Sequence, residues 1–285
     1  MYCYKIGDIG FGFDTDREIL ETELYGLFRI SEQEFRLLEN RHLFTVEEES
    51  QEEQDYGTPI FSCSEYAVYK ADSGYVKVTN RYDRRKYKCI CRQQGQGGEI
   101  SFTENGVDSL RTSAEFFRII DVVSALLCFD AFLFHSSVIR HGDRCILFSG
   151  FSGAGKSTQA DLWHENRAAE ILNGDRTLLR YIDGEWFACG VPMCGSSNYC
   201  ELFMLPVEAV VFLGKAEYNK VTDITAVEKI LGMTSQTSCG NRKAEDSEKM
   251  LSLIENFINK NTVIKLDCTP DVNAVECLES FLSRK

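Results

Sequence analysis

Arg144 to Thr158 reads Arg-Cys-Ile-Leu-Phe-Ser-Gly-Phe-Ser-Gly-Ala-Gly-Lys-Ser-Thr, and the reading of this stretch decides the fold. Gly150 to Ser157 fits G-x-x-x-x-G-K-[ST], the pattern of a phosphate-binding loop. The apolar run Cys145-Ile146-Leu147-Phe148 before it suits a buried strand, and a helix is expected to open near Lys156. Glycines at 150, 153 and 155 let the backbone wrap an anion with its N–H groups turned inward, and the start of the helix adds its positive dipole end. The candidate binding residues are Ser152, Gly153, Ala154, Gly155, Lys156, Ser157 and Thr158. Lys156 is placed to reach the β and γ phosphates of a nucleotide, and the Ser157 hydroxyl to hold magnesium.

Working outward, Phe132 to Ile139 reads as a strand, Arg140-His141-Gly142-Asp143 as a hairpin turn, and Cys145 to Phe148 as the returning strand. Strand, turn, strand is not the parallel order of ordinary nucleotide kinases, so a mixed sheet is expected. After the loop come a helix to about Asn166, a strand Glu170 to Leu172, a hairpin at Asp183-Gly184, and strands Trp186 to Ala188 and Glu208 to Leu213. Helices near Ala226 to Met233 and Ala244 to Ile258, a strand Val263 to Leu266 and a helix Val272 to Leu282 close the chain.

Residues 1–110 read as β-rich. Ile9-Phe11-Phe13, Val76-Val78 and Tyr87-Cys89-Cys91 alternate with polar or small residues, with turn signals at Asp72-Ser73-Gly74 and Gln96-Gly97-Gly98, and an antiparallel sheet is the natural outcome. The acidic tract Glu47 to Asp55 reads as a solvated loop, and the segment Arg81 to Lys88 is basic. Thr112 and Glu115 form a capping box before an apolar helix that runs to Leu127 and is expected to pack on the sheet carrying the loop. The composition changes near residue 110, which separates a β-rich N-terminal domain, a candidate for selecting the substrate, from a nucleotide-binding domain over 111–285.

Composition narrows the function. The net charge of −13 over 285 residues argues against a broad nucleic-acid surface, although Arg140, Lys156, Arg176 and Arg180 could form a local basic pocket. No apolar run approaches the length of a membrane span, and no basic apolar leader signals export, so a cytoplasmic protein without membrane partners is expected. The twelve cysteines contain no C-x-x-C and read as reduced, largely buried thiols.

Three further clusters carry chemistry. His135 stands in Phe-His-Ser-Ser-Val on the strand before the loop strand. Asp175 lies in Asn173-Gly174-Asp175-Arg176, where a carboxylate at a strand end faces a phosphate loop and suits magnesium. Gly190-Val191-Pro192-Met193-Cys194-Gly195 reads either as a linker or as a substrate loop.

Together with the loop, His135-Ser136-Ser137, Ile-Leu-Asn-x-Asp-Arg at 171–176, Asp183-Gly184-x-Trp186, Gly190-x-Pro192-x-x-Gly195 and Asn219 resemble the HPr serine kinase/phosphorylase-like family over about residues 125–285. That family shares its nucleotide-binding core with ATP-dependent phosphoenolpyruvate carboxykinases. The resemblance implies an α/β fold with a mixed-sheet P-loop core beside the N-terminal β-rich domain. It also implies ATP and Mg2+ as cofactors, and phosphoryl transfer to a serine-like hydroxyl of a small molecule, peptide or protein. By position, Lys156 and the loop amides bind phosphates, Ser157 and Asp175 hold magnesium, and His135 sits close to the acceptor, which makes His135, Asp175 and Lys156 the catalytic candidates. Where the family has two adjacent aspartates this chain has Gly174-Asp175, which shifts the base role to His135 or Asp175 or leaves a nucleotide-binding regulatory protein without turnover. A motor ATPase is disfavoured because no Asp-Glu pair follows Ile171-Leu172. A GTPase is disfavoured because Asn219-Lys220-Val221-Thr222-Asp223 has one residue too many for Asn-Lys-x-Asp. The acceptor is left open, as is a homo-oligomer.

Overall fold

The computed structural model describes residues 1–48, 56–71, 74–79, 89–102, 111–193, 195, 199–238 and 243–284. Most of the acidic tract, the turn residues Asp72 and Ser73, the basic segment Arg81 to Lys88 with Tyr87, the boundary position 110 and Cys194 lie outside them. By its contacts the chain divides into two compact units, Met1–Phe129 with Cys239–Glu248, and Asp130–Ser238 with Lys249–Lys285. Among the described residues no helix is long and apolar enough to cross a membrane.

The first unit contains β1 (Tyr2–Ile6), β2 (Ile9–Asp14), α1 (Glu23–Gly26), β3 (Arg29–Ile30), α2 (Glu32–Leu37), β4 (Arg41–Glu48), β5 (Phe61–Ser62), β6 (Tyr66–Ala71), β7 (Gly74–Thr79), β8 (Cys89–Gln94), β9 (Gly97–Phe102), α3 (Ser113–Ile119) and α4 (Val122–Leu127). Its nine strands form one sheet in the order β3-β1-β2-β4-β9-β8-β7-β6-β5. The sheet is mixed, which corrects the antiparallel expectation: β4 runs parallel to both β2 and β9. Parallel neighbours need a long crossover, and residues 15–40 supply one through α1, β3 and α2. In β2, alternation puts Phe11 and Phe13 on one face and Gly10 and Gly12 on the other. A Cβ on Gly12 would come within 2.7 Å of the Phe35 ring, so the bare backbone is what lets α2 lie against the strand.

The apolar stretch after Thr112 is two helices rather than one. Asp121 ends the first run and caps the second, accepting from the Ser124 N–H at 3.4 Å, while the Lys77 ammonium donates to the carbonyls of Arg118 and Ile120. Phe116 and Phe117 pack on Phe13, Tyr4 and Phe11, so α3 lies on the first sheet and not, as expected, on the sheet carrying the loop. Nearby, Lys243 is buried 2.8 Å from Asp121 and donates to the Ser124 hydroxyl at 2.9 Å. Burial alone would raise the Asp121 carboxyl, but Lys243 and its own hydrogen bonds hold it below its ordinary value.

The second unit contains β10 (Ala131–His141), β11 (Arg144–Ser149), α5 (Lys156–Arg167), β12 (Ile171–Asn173), β13 (Arg176–Ile182), β14 (Glu185–Cys189), β15 (Met204–Lys215), β16 (Lys220–Thr222), α6 (Ala226–Gln236), α7 (Ala244–Lys260, of which the residues to Glu248 belong to the first unit), β17 (Thr262–Cys268) and α8 (Val272–Leu282). The expected mixed sheet is present: β11 pairs antiparallel with β10 and parallel with β15, and β15 pairs parallel with β17. Ile146, Phe148, Val211, Leu213, Ile264 and Leu266 meet Trp163 of α5 and Val275 and Leu278 of α8 in one buried cluster. Each such fully buried side chain contributes about 1.5–3 kcal/mol. Trp186 packs its ring on Phe257 of α7.

His42 in the first unit yields a stability prediction. It is fully buried beside Phe11 and Phe129, with Nε2 on the Ala125 carbonyl at 2.9 Å and, among the described residues, no partner for Nδ1. Burial lowers its pKa. The unfolded chain therefore binds a proton near pH 6.5 that the folded chain refuses, and stability falls as pH drops below that value. Unfolding free energies between pH 5 and 7.5 should fall by up to about 1.4 kcal/mol per pH unit more in the wild type than in His42→Gln. Equal slopes would remove His42 as the cause.

Candidate functional site

β11 delivers the chain to the loop. Ser149, its last residue, donates its hydroxyl to the His135 carbonyl at 2.7 Å, and Gly150, Gly153 and Gly155 all take positive φ (147°, 77° and 101°). Nothing lies within 4 Å of where a Cβ would stand on Gly153 or Gly155, so the loop presents open, bare backbone. That is the form of an anion cradle. Gly155 caps α5, which starts at Lys156 as the motif requires. The Lys156 ammonium lies 3.0 Å from the Gly150 carbonyl and 3.4 Å from that of Phe151, folded back over the loop.

A cleft of about 490 Å³ opens beside the loop, and Gly153, Gly155, Lys156, Ser157, Thr158 and Asp175 all line it. Ser152 and Ala154 belong to the loop but not to this lining. Asp175 follows β12, and its backbone N–H is held by the Asn173 side chain at 3.0 Å. Its carbonyl accepts from the Ser136 N–H at 3.0 Å, which ties it to β10. Its carboxylate stands 3.2 Å from His135 Nε2 and 3.7 Å from Arg176 Nε. His135 does not itself line the cleft; it reaches it through Asp175.

The loop after β14 returns to the same carboxylate. Gly195 has φ +59°, and a Cβ there would lie 2.8 Å from Asp175 Cγ. Ser137 and Gly174 also line the cleft, the Ser137 hydroxyl donating to the Gly174 carbonyl at 3.3 Å.

The electrostatics are local. Burial and the Lys156 charge lower the His135 pKa against the opposing pull of Asp175, so the imidazole is neutral near pH 7 and able to accept a proton. Burial lowers Lys156 too, and Asp175 partly offsets it. Ser157 and Asp175 offer the hard oxygen donors a magnesium ion prefers, in a cleft with room for its waters.

The other arginines proposed for a basic pocket do not line this cleft. Arg140 pairs with Glu170 at 2.7 Å, Arg180 is buried and donates to the Tyr181 carbonyl at 2.7 Å, and Arg176 donates to the Ser238 hydroxyl. Asn219 is bound to Thr269, with its Nδ2 2.8 Å from the hydroxyl and its Oδ1 3.0 Å from the backbone N–H.

Three cleft residues escape the sequence reading, Ala160, Asp161 and Tyr199, and the last two carry polar side chains. Asp161 follows Ser157 by four residues on one helix, a spacing that would have found it. Tyr199 reaches the site through a bridge between Asn173 and Cys200, which no local pattern signals.

No family model matches the chain, and no curated protein does. Among solved structures, the HPr(Ser) kinase/phosphatase from Coxiella burnetii is similar over 53% of this chain and 88% of that one, with 13% sequence identity and a TM-score of 0.30. A likeness of that size bears on neither substrate nor chemistry.

Gly195→Ala tests how Asp175 is held. The left-handed backbone should cost about 1–2 kcal/mol of stability. The added methyl displaces the Asp175 carboxylate, so His135, followed by NMR, should titrate at lower pH than in the unaltered chain. An unchanged His135 titration would show that Gly195 does not position Asp175.

Proposed function

We propose that this chain is a kinase that transfers the γ-phosphate of ATP, with magnesium, to a serine-like hydroxyl of a small molecule, peptide or protein. The observation that carries the reading is the convergence of open loop backbone, Lys156, Ser157 and Asp175 on one cleft. In this reading the loop amides from Ser152 to Thr158 and the Lys156 ammonium hold the phosphates, and Ser157 and Asp175 hold the magnesium ion. When bound, the ion offsets phosphate charge.

Positioning and charge neutralisation supply most of phosphoryl-transfer catalysis. Lys156 leaves the loop carbonyls for the phosphates, and the dipole end of α5 faces the same charge. The acceptor oxygen attacks the γ-phosphorus, the bond to the β–γ bridging oxygen breaks, ADP departs, and the acceptor proton passes to neutral His135 by way of the Asp175 carboxylate, the member of the pair that lines the cleft. Asp175, 3.2 Å from His135 Nε2, orients the imidazole and stabilises the cation it becomes. His135 thus takes the base role that Gly174, without a side chain, cannot fill.

Gly174 also favours a second reading, a regulatory protein that binds nucleotide without turnover. The two separate in one experiment with γ-labelled ATP, magnesium and a cell extract as the source of acceptors. Lys156-dependent labelling of an acceptor is expected, with Lys156→Ala weakening ATP binding at least about tenfold. Tight, Lys156-dependent binding without transfer would favour the regulatory reading, and Gly174→Asp would then be the change expected to raise turnover.

The base assignment makes its own prediction. His135→Gln should lower kcat about 10²–10⁴-fold. In the wild type the neutral imidazole persists below its ordinary value, so the acid limb of kcat/KM should have its midpoint below about pH 6.5. A midpoint above that value would assign the base elsewhere.

A further inference from the structure

Beyond the loop, the cleft continues as a groove between α5 and β12. We infer that this groove holds the acceptor and selects one with an ammonium group close to its hydroxyl, Asp161 being the counter-charge and Tyr199 the wall. The inference rests on the kinase reading above.

Its geometry follows from two elements. α5 rises about 1.5 Å per residue, which sets Asp161 about 7.5 Å along from Lys156. β12 advances about 3.3 Å per residue, which sets Ile171 about 10 Å along from Gly174. Ser157 and Asp161, four residues apart, share a helix face and both line the groove. Opposite them, Tyr199 is brought beside β12 by the Asn173–Cys200 bridge and by the Glu201 N–H, which donates to the Leu172 carbonyl at 3.0 Å. One end of the groove therefore carries the phosphate loop, Asp175 and Tyr199, which this register sets opposite Gly174, and the other carries Asp161 and Ile171.

Charge sets the selectivity. Lys156 is the one cation lining the groove among the described residues, and the phosphates occupy it in the kinase reading. Asp175 has His135 and Arg176 beside it. Asp161 is exposed and has no hydrogen bond or ion pair among the described residues. An anionic acceptor would meet that carboxylate with no cation to offset it, and the chain's net charge of −13 acts in the same sense. An ammonium group would gain a charge-assisted hydrogen bond there, while its carbon chain lies on Tyr199 and Ile171.

Three two-carbon compounds of nearly equal size test this: 2-aminoethanol (cationic), 1,2-ethanediol (neutral) and glycolate (anionic). Their dissociation constants are measured by ligand-observed NMR on the whole chain loaded with magnesium and a non-hydrolysable ATP analogue. Affinity should fall in that order. Asp161→Asn should reduce the preference for 2-aminoethanol over 1,2-ethanediol about tenfold, Asp161→Glu should keep part of it, and Tyr199→Ala should weaken both compounds together. Equal affinities for the three, or an unchanged preference in Asp161→Asn, would overturn the inference and leave the kinase reading standing. Loss of magnesium-dependent analogue binding in Asp161→Asn would also overturn it, by assigning Asp161 to the metal. Absence of Lys156-dependent analogue binding in the unaltered chain would remove the kinase reading itself, and the inference with it.

Discussion

One strand, β10, serves three partners, and the site depends on where one of its edges is interrupted. β10 pairs with β13 from Ala131 to His135 and, on its other edge, with β11 from Ser136 to His141; on the β13 edge it also meets β12 at Val138 and Ile139. His135 is the last residue of the first pairing and sits opposite Arg176; Ser136 begins the second opposite Ser149. On the edge shared by β13 and β12 the ladder is interrupted between His135 and Val138, where β12 ends and β13 begins, so Asp175 lies in the gap with its carbonyl on the Ser136 N–H. β15 divides in the same way, pairing with β14 through Pro206 and with β11 from Val207. Both divisions hold β11 between an antiparallel and a parallel neighbour, and its carboxyl end is where the chain turns into the bare loop. Ligand sites of open α/β sheets sit outside such strand ends for the same reason: the chain is free to turn there while the strand behind it is fixed.

How much of this could be read from the residues follows from how local each cause is. The loop, the start of α5 at Lys156, the hairpin at Asp183-Gly184 and the span of α8 all depend on a few adjacent side chains, and each lies where the sequence puts it. The mixed pairing of the second sheet was legible because a turn between two apolar runs excludes a parallel crossover. The parallel pairs in the first sheet were not legible. They depend on α2 docking over Gly10 and Gly12, a contact between segments more than twenty residues apart that leaves only two small residues as its trace. The break at Asp121 was hidden by a continuous apolar pattern, because the cation that takes the carbonyls of the first helix comes from β7. Asp161 was within reach of helical spacing, whereas Tyr199 depends on a pairing between β12 and a distant loop.

The electrostatic arrangement keeps a histidine uncharged although a carboxylate stands beside it. An imidazole beside an isolated carboxylate would be drawn toward the charged form. Here the Lys156 ammonium and burial act in the opposite sense, and the ring stays neutral while Asp175 remains at hand to receive the charge once a proton arrives. The lysine is itself tied to two carbonyls of its own loop, so an arriving anion exchanges one set of oxygens for another instead of meeting an unsolvated cation.

The buried pair of Lys243 and Asp121 bears on how this chain can be inherited. Both side chains are nearly inaccessible, at 5% and 7% exposure, and the lysine lies in the ten-residue return Cys239–Glu248 that the first unit draws from far down the sequence. A fragment ending at Phe129 would keep the carboxylate and lose its 2.8 Å partner, and breaking a buried ion pair costs about 3–5 kcal/mol. The N-terminal unit is therefore no cassette that a single crossover between genes could move intact. Its inheritance is bound to that of the second unit, whose sequence interrupts it.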